Sequence, residues 1–379
     1  MEEQKIIISV NLEQAVTQAV GEVAHDRLFV VCDRLTRDYC LPQISHIPCM
    51  KDASVIVLDE GDEHKTLHYV ELVWTELQQR GATRHSLVVN LGGGMVTDLG
   101  GFAVSTFKRG LPFINIPTTL LAMVDASVGG KTGFNYGGLK NEIGVFRNAE
   151  AVILDTTFLH TLDQENILSG YAEMLKHGLI SSSEMLAELL SFDVASLCPS
   201  PSVRLQAVGP CSAMKPLEAS SLQRMVAESV AVKQRIVLED PREQGLRKAL
   251  NLGHTIGHAF EALALSQPAR FHGPGGGPVL HGYAVAWGLV CELFLSVAKC
   301  GFPTDRMRQV VRFVFDHYGR MPITCDDYPT LLELMTHDKK NVARQINFTL
   351  LHDVGRLALN QTATTAEIEE ALDFYREGA

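Results

Sequence analysis

The sequence predicts an α/β N-terminal domain, with an open and largely parallel sheet, joined to a mainly α-helical C-terminal domain. Three observations carry that expectation. Over the first 160 residues short β-branched runs alternate with helical stretches, the rhythm of βαβ units. Beyond Asp163 nearly every segment shows the 3.6-residue apolar period of helices instead. The length of 379 residues suits two domains at roughly 150 residues each, placed at 1–163 and 164–379.

In chain order, strands are expected at 5–10, 28–33, 54–59, 86–91, 112–117 and 151–155, where Val and Ile runs are bounded by turn residues. Between them 64–80 has helical periodicity, and 95–106 and 120–127 are shorter helices. The second half reads as helices over 165–180, 184–192, 221–237, 248–265, 282–299, 305–318 and 366–376, interrupted by a strand pair at 346–352 and 356–360. Two stretches, 199–220 (Pro, Ser and Ala-rich) and 267–278 (containing Gly-Pro-Gly-Gly-Gly-Pro), read as surface loops.

Acidic residues outnumber basic ones by 44 to 33, a formal charge of −11. Such a chain lacks the surplus of Lys and Arg that displaces counterions from nucleic acid or anionic membranes, so neither is an expected partner. The acidic start, Met1-Glu2-Glu3, is unlike a secretory leader. The most apolar window, 283–297, carries Glu292 in its middle and is short for a bilayer span. Eight cysteines show no Cys-x-x-Cys spacing and read as reduced thiols of a cytoplasmic protein.

Three patterns could carry chemistry. Gly92-Gly93-Gly94-Met95-Val96-Thr97-Asp98 follows a strand and opens a helix, where close backbone approach and free N–H groups suit a phosphate; it departs from Gly-x-Gly-x-x-Gly, and a purely structural turn fits as well. His254 and His258 stand four apart beside glycines, facing one side of a helix and able to converge on a metal or substrate, or to be structural. Thr255 in place of Glu disfavours the zinc-protease motif. Glu173, one turn from Lys176, and His281, at the mouth of an apolar helix, could complete a site with an open position, or be an ion pair and a cap. A third group, Arg109, Lys131, Lys140, Lys233, Arg247, Lys339 and Lys340, lies beside turns and motif residues and suits phosphate and carboxylate. The stretch 125–132 approaches a phosphate loop, but Asp125 stands where its first glycine belongs.

Taken in order, Gly92 to Phe102, Arg109-Gly110, Ile116 to Leu121, Asp125 to Thr132, Lys140-Asn141, Ala172-Glu173, Lys176, Leu250 to His258 and His281-Gly282 resemble the 3-dehydroquinate synthase family of sugar phosphate cyclases. The resemblance runs from about Asp33 to Lys340. It implies a dehydroquinate synthase-like fold, an α/β nucleotide-binding domain followed by a helical one with the active site in the cleft, and two cofactors, NAD and a divalent metal (zinc, with cobalt as a substitute). The implied metal ligands are Glu173, His254 and His281. NAD would be held by Asp33, Asp62, Lys65, Gly94, Thr97, Asp98, Thr118, Thr119, Lys131, Lys140 and Thr161. The substrate, a phosphorylated sugar acid, would be held and turned over by Asp125, Lys131, Asn141, Lys176, Lys233, Arg247, Asn251, His258 and one of Lys339 and Lys340. Arg109 is similar to a family arginine that reaches the phosphate from a neighbouring subunit, which implies a homodimer. Asp62 stands where the family more often has Glu, and Tyr283 where Glu is common after His-Gly.

The implied activity converts 3-deoxy-D-arabino-heptulosonate 7-phosphate to 3-dehydroquinate and phosphate in the shikimate pathway. A sister cyclase acting on sedoheptulose 7-phosphate would share the metal and NAD chemistry. A metal-dependent alcohol dehydrogenase would release NADH, and the density of phosphate-suited residues argues against it. A catalytically inert binding protein is at odds with the presence of Glu173, His254 and His281.

Overall fold

A computed structural model of the chain describes residues 3–137, 139–197, 216–336 and 346–378. Its contacts gather into two compact units, Met1–Asp163 with Ala195–Gln234, and Gln164–Val194 with Arg235–Ala379, so the chain passes between them three times.

The first unit contains β1 (Ile6–Ile8), α1 (Leu12–Gly21), β2 (Leu28–Asp33), α2 (Arg34–Tyr39), α3 (Pro42–Ser45), β3 (Ser54–Leu58), α4 (Leu67–Gln79), β4 (Leu87–Gly92), α5 (Gly94–Thr106), β5 (Phe113–Pro117), β6 (Lys131–Tyr136), β7 (Leu139–Phe146) and β8 (Ala151–Leu154). Six strands form one parallel sheet in the order β1-β8-β5-β4-β2-β3. β2, β4, β5 and β8 are buried along their whole lengths, as expected of Val and Ile-rich strands covered on both faces. The chain runs outward from β2 to β3 and then in the opposite direction from β4 through β5 to β8. This reversal lies between β2 and β4, and in such sheets the carboxyl ends of the flanking strands form the ligand crevice.

The antiparallel hairpin β6–β7 has no counterpart in the sequence reading. Gly133 and Gly144 are register partners in it, and a Cβ on either would strike the opposite backbone, Ile143 O at 2.5 Å or Thr132 O at 2.3 Å. The close approach thus requires the glycines that make the segment read as a loop. The helix expected at 120–127 is a wide turn at Ala122–Ala126, in which the Ser127 N–H reaches the Ala122 carbonyl at 3.0 Å. Such turns occur often at functional sites.

The second unit contains α6 (Gln164–Ser181) and α7 (Ser183–Ser191). It is rejoined through α8 (Pro216–Glu239), followed by α9 (His254–Ser266), α10 (His281–Cys300), α11 (Thr304–Tyr318), α12 (Tyr328–Thr336), the antiparallel pair β9 (Asn347–Asp353) and β10 (Arg356–Thr362), and α13 (Thr365–Glu377). The helix expected over 248–265 is interrupted. A short 3-10 turn over Leu246–Asn251 ends before Gly253, whose φ of +79° is left-handed, and α9 starts only at His254. A side chain at Gly253 would meet Leu289 at 2.8 Å, so only glycine allows both the turn and the packing.

Among the described residues α10 alone is long and apolar enough to cross a membrane, and it is mostly buried within the protein, with Glu292 at its centre. The 267–278 segment is tied down: Arg270 makes a two-pronged pair with Asp327, at 2.6 and 2.7 Å. Of the stretch 199–220, residues 199–215 lie outside the described part of the chain. The six described cysteines are unpaired, and burial pushes the Cys32 and Cys40 thiols up to about 12.

Candidate active site

At the carboxyl end of β4, Gly92 and Gly93 lead into α5, whose first residue is Gly94. A Cβ at these three positions would meet Val96 at 2.6 Å, Thr119 at 3.0 Å and Ala126 at 3.3 Å. The first is closer than a side chain allows and the other two are tight, so the strand passes into the helix here with little room for side chains. The free N–H groups of the α5 N-terminus are the natural partner of a pyrophosphate. Asp33 ends the neighbouring β2, and its Oδ1 caps α2 by accepting from the Thr36 N–H at 2.7 Å. Burial holds its carboxyl above the ordinary value.

Five sequence-predicted residues meet beside this crevice. The Lys65 ammonium, nearly fully buried, donates to Asp98 Oδ2 at 2.6 Å and to Asn141 Oδ1 at 2.5 Å, and Lys140 pairs with Asp62 at 2.9 Å. Burial outweighs the Lys65 charge and raises the Asp98 carboxyl. The unforeseen hairpin supplies Lys140 and Asn141, and Asn135 ties it down: its backbone N–H donates to the Lys65 carbonyl at 2.7 Å, and its amide to the Asp62 carbonyl at 3.2 Å. Thr118 and Thr161 come together at the Cys40 thiol, and Thr119 caps the wide turn that carries Asp125. Lys233 of α8 donates to the Asp125 carbonyl at 2.6 Å and its carboxylate at 2.7 Å. Lys131 opens β6 and is exposed. Arg109 is also exposed, in a turn where Lys108, Arg109 and Gly110 all have positive φ (+49°, +71° and +111°). The bonds above do not bring it to the others.

The second unit holds a denser constellation. Glu173 of α6, fully buried (0% exposed), pairs with Lys176 one turn on. Its Oε1 lies 3.5 Å from His254 Nε2 and 3.6 Å from His281 Nε2. His254 Nδ1 lies 3.1 Å from the Leu252 carbonyl and His281 Nδ1 3.3 Å from Glu261 Oε2. Both oxygens accept, so each Nδ1 carries a proton and each Nε2 is the ring nitrogen left facing Glu173. The His258 ring stands edge-on to His254 at 5.2 Å, and the ligand atoms of His254, His258 and His281 lie within 4.8 Å of one another.

The charges explain the titration of the cluster. Burial would raise Glu173, but Lys176 and the two imidazoles hold it well below the usual carboxylate range. Burial, helped by Lys176 and the neighbouring imidazoles, holds His254 well below its ordinary value despite Glu173. Burial would lower His281 too, but Glu261 and Glu173 outweigh it and raise it to about 10.

This arrangement fits a divalent ion. Ligands at about 2.1 Å from a tetrahedral centre lie about 3.4 Å from one another. The Oε1–Nε2 separations of 3.5 and 3.6 Å match that edge and are long for hydrogen bonds. One carboxylate and two imidazoles leave a position open, as catalytic sites do.

Arg247 and Asn251 lie on the turn before α9. The Asp240 carboxylate accepts the N–H groups of Gln244, Gly245 and Arg247 at 2.6–3.1 Å, holding the turn that presents the Arg247 side chain. Burial would raise that carboxyl, yet these N–H groups leave it below the usual range.

Sequence reasoning missed three carboxylates. Glu261 stands seven residues after His254 and three after His258, so the spacing already placed it on their face. It supplies the carboxylate behind His281, where Tyr283 offers none. Glu243 accepts from Asn251 Nδ2 at 2.7 Å and sits at φ +59°, a conformation that costs about 1–3 kcal/mol in a residue with a side chain; no sequence signal marks it. Glu292 has its signal in a charge amid an apolar run. Lys339 and Lys340 lie outside the described residues.

Two family models match consecutive parts of the chain: 3-dehydroquinate synthase N-terminal over residues 55–169 and 3-dehydroquinate synthase C-terminal over residues 170–341. A 3-dehydroquinate synthase of Parabacteroides distasonis is 49% identical over 377 residues, covering 100% of this chain and 99% of that one. Among solved structures, 2-epi-5-epi-valiolone synthase from Streptomyces hygroscopicus subsp. jinggangensis, with NAD+ and Zn2+ bound, superposes with a TM-score of 0.81 at 24% identity, covering 100% of this chain and 98% of that one. A 2-deoxy-scyllo-inosose synthase complexed with carbaglucose-6-phosphate, NAD+ and Co2+ superposes with a TM-score of 0.76 at 21% identity, covering 99% and 96%. At these identities the two structures bear on the fold.

Proposed function

The chain belongs to the 3-dehydroquinate synthase family, and on that premise we propose that it converts 3-deoxy-D-arabino-heptulosonate 7-phosphate to 3-dehydroquinate and phosphate. It does so as an NAD- and metal-dependent carbon–oxygen lyase of aromatic amino-acid biosynthesis. The observation that carries the reading is the meeting of Glu173, His254 and His281 from three helices at ligand-to-ligand distances.

Bound to this chain, NAD+ supplies a reversible hydride acceptor and the divalent ion, zinc or cobalt, a Lewis acid for substrate hydroxyl and carbonyl oxygens. The chain's own residues do the rest. Gly94, Thr97 and the α5 N-terminus take the pyrophosphate of NAD; Asp33, Asp62, Lys65, Asp98 and Lys140 orient the remainder of the cofactor, with Thr118, Thr119 and Thr161 beside it. Glu173, His254 and His281 hold the ion. Arg247, Lys233 and Lys131 bind the anionic groups of the substrate, and Asp125, Asn141 and Asn251 its polar groups. His258 and Lys176 stand beside the ligands and manage the proton that leaves a substrate hydroxyl on oxidation and returns on reduction. Arg109, on its exposed turn, reaches the substrate phosphate of a neighbouring copy, so the active form is a homodimer. The free buried thiols fit a reducing, cytoplasmic setting.

The test is phosphate release from 3-deoxy-D-arabino-heptulosonate 7-phosphate with catalytic NAD+ and Zn2+, beside sedoheptulose 7-phosphate and a chelator control. Chelator-sensitive release from the first substrate alone, without net NADH, is the expected result. Release from the second alone would move the chain to a sister cyclase, and net NADH formation would make it a dehydrogenase.

A further inference from the structure

We infer that Glu292 is a positioning residue for His254, an assignment that rests on the reading of Glu173, His254 and His281 as ligands of a divalent ion. Glu292 lies in the middle of α10 and is fully buried, 0% exposed. An ionised carboxylate there is costly unless its lone pairs are used, and three backbone N–H groups of one turn use them. Oε2 accepts the Gly253 N–H at 2.6 Å, and Oε1 accepts those of Thr255 and Ile256 at 3.0 and 3.2 Å. These belong to the N-terminus of α9, whose first N–H groups have no partner within the helix, and the helix dipole adds to the attraction.

The usual source of such a cap is a Ser, Asp or Asn immediately before the helix. Here that position is Gly253, which has no side-chain oxygen and makes no side-chain cap, and the carboxylate comes from 39 residues further along the chain. His254 sits between the donors that Glu292 gathers. The turn so closed also fixes the Leu252 carbonyl, which accepts from His254 Nδ1 at 3.1 Å and leaves Nε2 facing Glu173 at 3.5 Å. Glu292 therefore sets the direction of the His254 lone pair through the backbone.

Glu292→Gln keeps the side chain's size but turns one acceptor into an NH2 donor facing N–H donors. In the full chain, Zn2+ and Co2+ affinity is measured by competition with a chromogenic chelator. The visible absorption of bound Co2+, and the circular dichroism and melting temperature of the metal-free protein, are recorded alongside. We expect helical content to be kept, affinity for both ions to fall about 10–100-fold, and the Co2+ band to shift. Glu292→Asp retains the charge but falls one methylene short of three donors; a smaller loss is expected, and it carries the test alone if the Gln variant does not fold. Unchanged affinity and Co2+ absorption in a folded variant, with only a lower melting temperature, would overturn the assignment and leave Glu292 a stabilising cap. A wild-type chain that binds neither ion would instead overturn the ligand reading, and this assignment with it.

Discussion

The glycine crevice of the first unit and the histidine cluster of the second solve opposite problems. On the proposed reading the crevice lets a large anionic ligand lie against backbone, and it is made of missing side chains: Gly92, Gly93 and Gly94, with the Lys65–Asp98 and Lys140–Asp62 pairs beside them. The cluster must hold charge away from water, so it is made of buried ionisable groups, each answered by another: Glu173 by Lys176, His281 by Glu261, the α9 N-terminus by Glu292. Desolvation and neighbouring charge shift titration in both, raising Asp98 in the crevice and moving Glu173, His254 and His281 in the cluster.

The largest expected effect breaks the cluster and spares the crevice. His254→Ala should lose bound metal and reduce phosphate release at least ~100-fold, while NAD+ affinity, measured by calorimetry, stays within about twofold. Metal retained at full stoichiometry would remove His254 from the ligand set. The mirror experiment is Lys65→Ala, which removes the cation shared by Asp98 and Asn141. It should weaken NAD+ binding about tenfold, in the range of one charge-assisted hydrogen bond, and leave Co2+ affinity unchanged. A joint loss of both ligands in either variant would show that the two centres are not independently built.

Arg247→Met sharpens the comparison on the substrate side. It should raise KM about 10–100-fold with a smaller change in kcat, as loss of an anion contact does; an unchanged KM would remove Arg247 from the binding set. The smallest effect is a control outside both centres. The Lys299 ammonium holds the half-exposed Glu367 carboxylate down at about 2. A depressed carboxylate contributes stability above its unfolded value and loses it as pH falls through its folded value. Glu367→Gln should therefore lower the melting temperature by no more than about 2 °C at neutral pH, and the difference should shrink as pH falls below 4.5. A difference that grows on acidification would contradict the pairing.

Legibility in the sequence followed the range of the interaction that made each feature. The parallel strands were readable because burial on both faces writes continuous Val and Ile runs, and all six sheet strands fall within a residue or two of their expected positions. The β6–β7 hairpin was not, because its Gly133–Gly144 pairing suppresses the very side chains that signal a strand. The break before His254 was hidden because helical spacing continues across Gly253, and the turn there is held from α10.

By itself the sequence determined the fold class, the family and the residue types of both centres, since periodicity, glycine placement and motif order are local properties of the chain. The tertiary structure alone decided which groups answer which. Glu261 behind His281, Glu292 on the α9 N-terminus, Glu243 on Asn251 and Lys65 between Asp98 and Asn141 are partnerships between side chains or backbone groups that periodicity cannot pair. A buried charge takes whichever partner the fold brings within about 3 Å, and that distance exists only once the helices have packed.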